Sequence, residues 1–169
     1  MANLPVALRQ SLEEKINLHN LTIIQQKASH DGTLKALFKC PDGNTIESAL
    51  MYYSEDGQKE RRTICVSTQS GCSIGCPFCA TGRQGFQRNL TPGEIVEQVL
   101  HFARVLRNQE TGEKAQRVSN VVFMGMGEPL MNYDNLWQAI TTLNSPEGFK
   151  LGARNMTIST SGVIPGIQR

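Results

Sequence analysis

Long hydrophobic runs are absent from this 169-residue sequence. Its apolar stretches are short, as in Val121, Val122, Phe123 and Met124, far below the roughly 20 consecutive apolar residues a membrane-spanning helix needs. No transmembrane helix and no membrane partner are expected. The opening residues carry Pro5 and Arg9 and lack an apolar block with a small-residue cleavage site, so a secretory signal is not expected and the chain is placed in the cytoplasm. A strong charge of either sign is missing too. Seventeen Lys and Arg against 15 Asp and Glu leave +2, which neither requires nor excludes an RNA partner. There is no internal repeat and no low-complexity segment, and 39% apolar with 19% charged residues is the balance of a folded chain. An even cysteine set is lacking as well. Five cysteines, clustered and in a reducing compartment, suit metal ligation or thiol chemistry better than a disulfide framework.

What is present reads as α/β. Leu8, Leu12 and Ile16 recur at helical spacing and predict a short amphipathic helix over 4–16. Strand-like segments at 22–26, 33–39 and 45–53, separated by Asp31-Gly32 and Pro41-Asp42-Gly43-Asn44, predict a small antiparallel meander. The polar stretch 54–60 closes this first segment, 1–60, and a second, 61–169, begins. There the order is βαβαβ, which implies parallel strands joined by crossover helices. The strands are expected at 63–67, 120–124 and 156–160. Thr91-Pro92-Gly93-Glu94 has capping-box spacing with Pro at the first helical position, and predicts a helix to about Asn108. Leu136, Ile140 and Leu143 predict another over 133–143. No closing helix is expected after the last strand. A three-stranded parallel sheet would leave open edges, so the chain is expected to be an internal piece of a longer protein.

Cys72, Cys76 and Cys79 place three thiols within eight residues, in a loop that Gly71 and Gly75 make pliable and Pro77 bends. A cubane iron–sulfur cluster has four irons, usually on four thiolates, so three thiolates leave one iron open. Zinc is the rival, with Cys65 or His101 completing four ligands, and plain packing of buried thiols is a third reading. Alternation sends Cys65 to the face opposite Ile64 and Val66, so it need not be a ligand. Met124-Gly125-Met126-Gly127-Glu128-Pro129 stands at the carboxyl end of a strand, where open sheets and barrels place ligands. Its glycines would let a ligand near the backbone, and the Glu128 carboxylate would suit a cationic amino group, although a plain strand-to-helix turn has the same pattern. Ser159-Thr160-Ser161-Gly162 has the equivalent place on the next strand, as a hydroxyl site for a ribose or carboxylate or as a capped turn. Arg83, Phe86, Arg88 and the basic 59–62 run would grip an unstacked nucleotide or simply face solvent. Glu47 reads as an exposed or salt-bridged carboxylate, and Cys40 as structural.

Together the cysteine triplet after the first parallel strand and the Gly-Glu after the second resemble the radical S-adenosylmethionine (SAM) enzymes. Cys65-Val-Ser-Thr-Gln-Ser-Gly-Cys72, Phe78-Cys79-Ala-Thr-Gly, Gln84-Gly-Phe-Gln-Arg-Asn-Leu-Thr91, Gly125-Met-Gly-Glu-Pro-Leu130 and Ser159-Thr-Ser-Gly162 resemble, more closely, the RlmN family of RNA adenine methyltransferases. The resemblance implies a partial (β/α) radical SAM barrel, its first three strands preceded by a short helix and the β accessory segment. It implies that Cys72, Cys76 and Cys79 hold a 4Fe-4S cluster whose open iron chelates SAM, the source of a 5′-deoxyadenosyl radical. Gly127, Glu128 and Ser159 would contact SAM. Cys65 would be a catalytic cysteine that resolves a methylcysteine adduct through a transient disulfide, and Glu47 the proton acceptor. Carbon 2 of adenine in 23S ribosomal RNA and in tRNA would be methylated, with a flavodoxin-type electron donor and a monomeric enzyme. No cysteine follows Cys79, so the methyl-carrying cysteine is absent from this chain. Alternatives are a related family that methylates carbon 8 (Pro129 and Ser161 resemble the carbon 2 group more), a radical SAM enzyme such as a glycyl-radical activase, and a zinc-stabilised RNA-binding module.

Overall fold

The computed structural model describes residues 5–15, 20–53, 61–108 and 116–169. Helix α1 (Val6–Lys15) leads into β1 (Thr22–Ala28), β2 (Leu34–Lys39) and β3 (Thr45–Tyr53), the expected meander. Its turns are closed by short acidic side chains. Asp31 accepts from the Thr33 amide and Asp42 from the Asn44 amide, both at 3.0 Å. The polar stretch and segment boundary expected at 54–60, and the outer ends of the first helix at residues 4 and 16, lie outside the described residues.

The meander does not stand apart from the parallel strands. One six-stranded sheet runs β1-β2-β3-β4-β7-β8, in which β3 pairs antiparallel with β4 (Arg61–Cys65), and β4, β7 (Asn120–Phe123) and β8 (Met156–Ile158) are parallel. The open edge expected on the first parallel strand is therefore covered by β3. Alternation puts Ala36, Phe38, Ile46, Leu50, Ile64, Val121 and Phe123 on one face, all essentially inaccessible. Two helices cover that face. Helix α3 (Pro92–Asn108) contributes Ile95, Val99, Phe102 and Leu106, and α4 (Tyr133–Asn144) contributes Leu136, Ala139 and Leu143. The capping box at α3 forms as its spacing predicted. The Glu94 amide donates to Thr91 Oγ1 at 3.3 Å, and the Thr91 amide to Glu94 at 2.8 Å.

Two features were not anticipated. Strands β5 (Gln69–Gly71) and β6 (Phe86–Asn89) form a separate antiparallel pair, with the one-turn helix α2 (Ala80–Arg83) between them. And the chain does carry a short helix after β8, α5 (Ile164–Ile167), started by Pro165.

Arg88, on β6, is not a free cation waiting for a nucleotide. It forks onto the buried Glu94 carboxylate at 2.8 and 2.9 Å and also pairs with Asp42 in the β2–β3 turn, so meander, β6 and helix cap share one charge. Glu94 is 3% exposed, and burial, its largest influence, pushes the carboxyl up. Hydrogen bonds from Arg88 and Thr91 outweigh that and leave it below its ordinary 4.5. Asp42 is held at about 2, chiefly by Arg88. The substitution Arg88→Met is expected to cost about 3 kcal/mol of unfolding free energy at pH 7 in urea titration, because a buried carboxylate loses its cation. Glu94's contribution is full above 4.5 and fades as pH falls through its lower folded-state value, so the gap between wild type and R88M narrows below pH 4.5.

Candidate cofactor and active site

The carboxyl ends of β4, β7 and β8 carry three turns, and buried polar side chains fasten them to one another. Ser67, just past β4, donates its hydroxyl to the Glu47 carbonyl at 2.5 Å and accepts from the Met126 amide at 2.8 Å. Gln98 reaches from α3 to bracket Ser67, accepting from its amide at 2.9 Å and donating to its carbonyl at 3.0 Å. Gln69 accepts from the Glu128 amide at 2.9 Å, and Asn132 donates to the Thr68 and Leu90 carbonyls at 2.8 Å. None of Ser67, Gln69, Gln98 and Asn132 was singled out in the sequence. One signal was there: Gln98 falls on the apolar stripe of α3, between Ile95 and Phe102, where a polar side chain must find partners.

The glycines of the 124–129 turn serve this seam. A Cβ on Gly125 would lie 2.7 Å from Ser67 Oγ, and one on Gly127, at φ +97, would lie 2.5 Å from Gln69 Cβ. The close approach they permit is made by the chain's own 66–69 segment. Glu128 is 4% exposed. One carboxylate oxygen accepts from the Leu130 amide at 3.1 Å, the other from the Ser161 amide at 2.8 Å and hydroxyl at 3.0 Å. Burial acts most strongly on this carboxyl, upward, but the donors from Ser161, Thr160 and Leu130 prevail and leave it below its ordinary value. In the 159–162 turn, Thr160 accepts from the Gly162 amide at 3.1 Å as a capping side chain, Ser161 serves Glu128, and Ser159 stands exposed.

The cysteine loop, residues 72–85, rises from the β5–β6 pair. Its base admits no side chain at Gly71, where a Cβ would meet the Gly85 carbonyl oxygen at 1.8 Å. The Cys72 amide donates to that carbonyl at 3.2 Å, the Cys79 amide to the Cys76 carbonyl at 3.1 Å, and Arg83 grips the Pro77 carbonyl at 3.0 and 3.2 Å. Arg83 thus shapes the loop. Cys72, Cys76 and Cys79 are all half-buried. The Gly82 amide beside Cys79 lowers its thiol pKa, the largest of the influences on it, with Thr81 adding to the effect. A thiol already disposed to ionise, beside two others in one loop, fits an iron–sulfur donor set. Among the described residues no three His, Cys, Asp or Glu are grouped to hold a single metal ion, and a multi-iron cluster spreads its thiolates wider than one ion does. His101, offered as a zinc ligand, instead bonds Gln26 at 2.9 Å and packs edge-on against Phe38 and Phe102. Thr68 Oγ1 is buried without a hydrogen-bond partner at the same end of the sheet, an orphan of the sort that marks a missing ligand or water.

Cys65 lies on the sheet face opposite the helices, as alternation indicated. It pairs with Ala49 across β3, so Glu47, two residues before Ala49, shares its face. Burial pushes the Cys65 thiol up, with the Met124 amide opposing. Glu47 is half exposed and ion-paired with Lys35 at 2.7 Å. Cys40 is 2% exposed and its thiol is pushed up to about 11, mainly by burial, as suits a structural residue.

A sequence model of the radical SAM superfamily matches residues 66–167. The whole chain is 48% identical to a probable dual-specificity RNA methyltransferase RlmN of Desulfitobacterium hafniense, covering 46% of that protein. It is 50% identical to a protein of the same description from Chloroflexus aurantiacus, covering 44% of it. The crystal structure of a radical SAM methyltransferase from Sphaerobacter thermophilus matches 99% of this chain and 47% of that one, at TM-score 0.88 and 43% identity. The chain spans about half the length of the curated relatives it matches.

Two outcomes are expected. In the reduced, cluster-free protein, iodoacetamide at pH 7 modifies Cys79 well before Cys65, as peptide mass spectrometry reads, because thiolate supply is raised at one and suppressed at the other. Ser67→Ala lowers stability by about 1 kcal/mol in chemical denaturation, since a partly buried carbonyl and a partly buried amide lose their shared partner.

Proposed function

Because the chain belongs to the radical SAM superfamily, we propose that Cys72, Cys76 and Cys79 hold a 4Fe-4S cluster that binds SAM, in an enzyme that methylates carbon 2 of adenine in 23S ribosomal RNA and in tRNA. The observation that carries this reading is the position of the three half-buried thiols, on a loop rooted beside the turns at the carboxyl ends of β4, β7 and β8. When bound, such a cluster supplies one electron to SAM through the iron that no cysteine occupies. The likeness to proteins described as dual-specificity RNA methyltransferases supports the RNA substrates. A flavodoxin-type donor, a cytoplasmic location and a monomeric enzyme complete the proposal. Among the described residues no helix is long and apolar enough to cross a membrane.

The chain's own residues would act as follows. Gly127 and Glu128 border the amino-acid end of SAM. With both Glu128 oxygens engaged by Leu130 and Ser161, the carboxylate holds the turn in place and leaves main-chain carbonyls to accept from the ammonium group. Ser159, exposed at the end of β8, contacts the same cofactor. Cys65 keeps its proton at neutral pH until a base takes it, which suits a thiol that acts late, as the resolving partner in a transient disulfide. Glu47, on the same face and held by Lys35, is the proton acceptor. Strands β1 to β3, in the first segment (1–60), would form the wall beside this chemistry, and the second segment (61–169) would supply the cofactor's ligands.

Anaerobic reconstitution with iron and sulfide, then dithionite reduction and electron paramagnetic resonance with and without SAM, tests the reading. A cubane signal that changes when SAM is added is expected, and Cys76→Ser should reduce bound iron to a small fraction of wild type. Folded protein that takes up zinc and shows no SAM-sensitive signal would overturn it.

A further inference from the structure

At the amino-terminal end of β7, away from the cysteine loop, the structure has an open cleft of about 610 Å³. Four cations line it: Arg104 and Arg107 from the last turns of α3, Arg117 from the approach to β7, and Lys150 from the segment between α4 and β8. No carboxylate lines it among the described residues, and none of the four cations has an ion pair there. Among the described residues the ion pairs lie outside it: Lys35 with Glu47, Arg88 with Glu94 and Asp42, and Arg169 with Asp134. Among the described residues, three separate elements thus turn four like charges toward one cleft.

The backbone adds a second sign. Lys150 has φ +61, the only non-glycine residue in the left-handed region among those described. That conformation costs a long side chain of the order of 1 kcal/mol or more. It is held there because the Lys150 amide donates to the Ser145 carbonyl at 3.2 Å and the Leu151 amide to the Leu143 carbonyl at 2.9 Å. Lys150 is thereby fixed beside Phe149 on the cleft wall instead of trailing from a relaxed loop.

We propose that this cleft is a second RNA contact, which binds the phosphate backbone of the substrate outside the base that reacts. The inference rests on the RNA reading above and deepens it. Three of the four cations are arginines, whose planar forks match phosphate oxygens, and all four are exposed along an open groove. Spread charge of this sort suits a chain of phosphates better than one small anion. The cleft is also near enough for one RNA to use both places, since β7, with four residues, accounts for only about 13 Å between the two ends of the sheet. Contacts to phosphates add affinity and register without sequence preference.

The test is fluorescence anisotropy of the full chain with a labelled RNA hairpin at several salt concentrations. Three proteins are compared: wild type, R104Q/R107Q/R117Q/K150Q, and a control, K39Q, whose exposed cation lies outside the cleft. Wild type should bind with a steep salt dependence. The four-site variant should bind at least tenfold more weakly, with the slope of log affinity against log salt reduced by about two or more, and the control should stay near wild type. Equal binding and equal slope for wild type and the four-site variant would overturn the inference and leave the RNA reading intact. Equal losses in the control and the four-site variant would overturn it as well, by showing a general charge effect. Failure of wild type to bind the hairpin at any salt would remove the RNA reading and the cleft's role together.

Discussion

The hydroxyl of Ser67 is the point on which the candidate site hangs. At the carboxyl end of β4 the ladder hydrogen bonds run out, yet three turns must stay in register for the cysteine loop, the 124–129 turn and β3 to meet. Ser67 does this with one oxygen, donating to Glu47 and accepting from Met126, while Gln98 fixes its backbone from the helix side. A hydroxyl is the smallest group that donates and accepts at once. The glycine opposite it follows from that choice, because a Cβ at Gly125 would sit 2.7 Å from the same oxygen. The polar side chains of Ser67, Gln69, Gln98 and Asn132 are each matched by a partner, and a matched network defines one arrangement more sharply than an apolar contact would.

From that seam outward, the same short stretch of chain gives its thiols opposite characters. Cys65 is on the sheet, where lost hydration raises its pKa. Cys79 stands at the start of α2, where free amides point at its sulfur and lower it. The difference comes from backbone direction and burial alone, with no charged neighbour as the main cause of either shift. The difference agrees with the roles proposed for them: a ligand would have to shed its proton to bind iron, whereas a thiol kept for a later step would be safer protonated.

Much of this frame was legible in the sequence. The Thr91–Glu94 capping box, the two turns of the meander and the apolar stripes of α3 and α4 are local signals, and each element formed close to its expected range. Alternation alone placed Cys65 on the face away from Ile64 and Val66. What was illegible depends on distant partners. Ser67 and Met126 are 59 positions apart, Gln98 and Ser67 31, and no periodicity encodes such a pairing. Strand β5 is three residues long, polar and glycine-ended, so it has neither a hydrophobic pattern nor the length to be seen. From the sequence, the glycines at 125 and 127 offer room for a ligand, because a sequence cannot say which neighbour takes the room. Arg88 looks like a surface charge in the sequence for the same reason: Asp42 lies 46 positions away and Glu94 is buried only once the helix docks.

The covering of β4 by β3 changes what the first segment is for. A meander packed elsewhere would be an accessory, but this one extends the sheet and carries Glu47 onto the face that holds Cys65. Helices fill the opposite face, so any molecule that meets Cys65 and Glu47 together must lie across β2, β3 and β4 on the uncovered side. Along that path stand Lys27, Lys35 and Leu37 beside Glu47, two cations and an apolar side chain at the margin of a carboxylate. Lys35 pairs with Glu47, and Lys27, its cross-strand neighbour, stands beside them. On the proposed reading the order of strands would therefore matter as much as the cysteines do: it places Glu47 on the face of Cys65 and sets which side chains stand beside it.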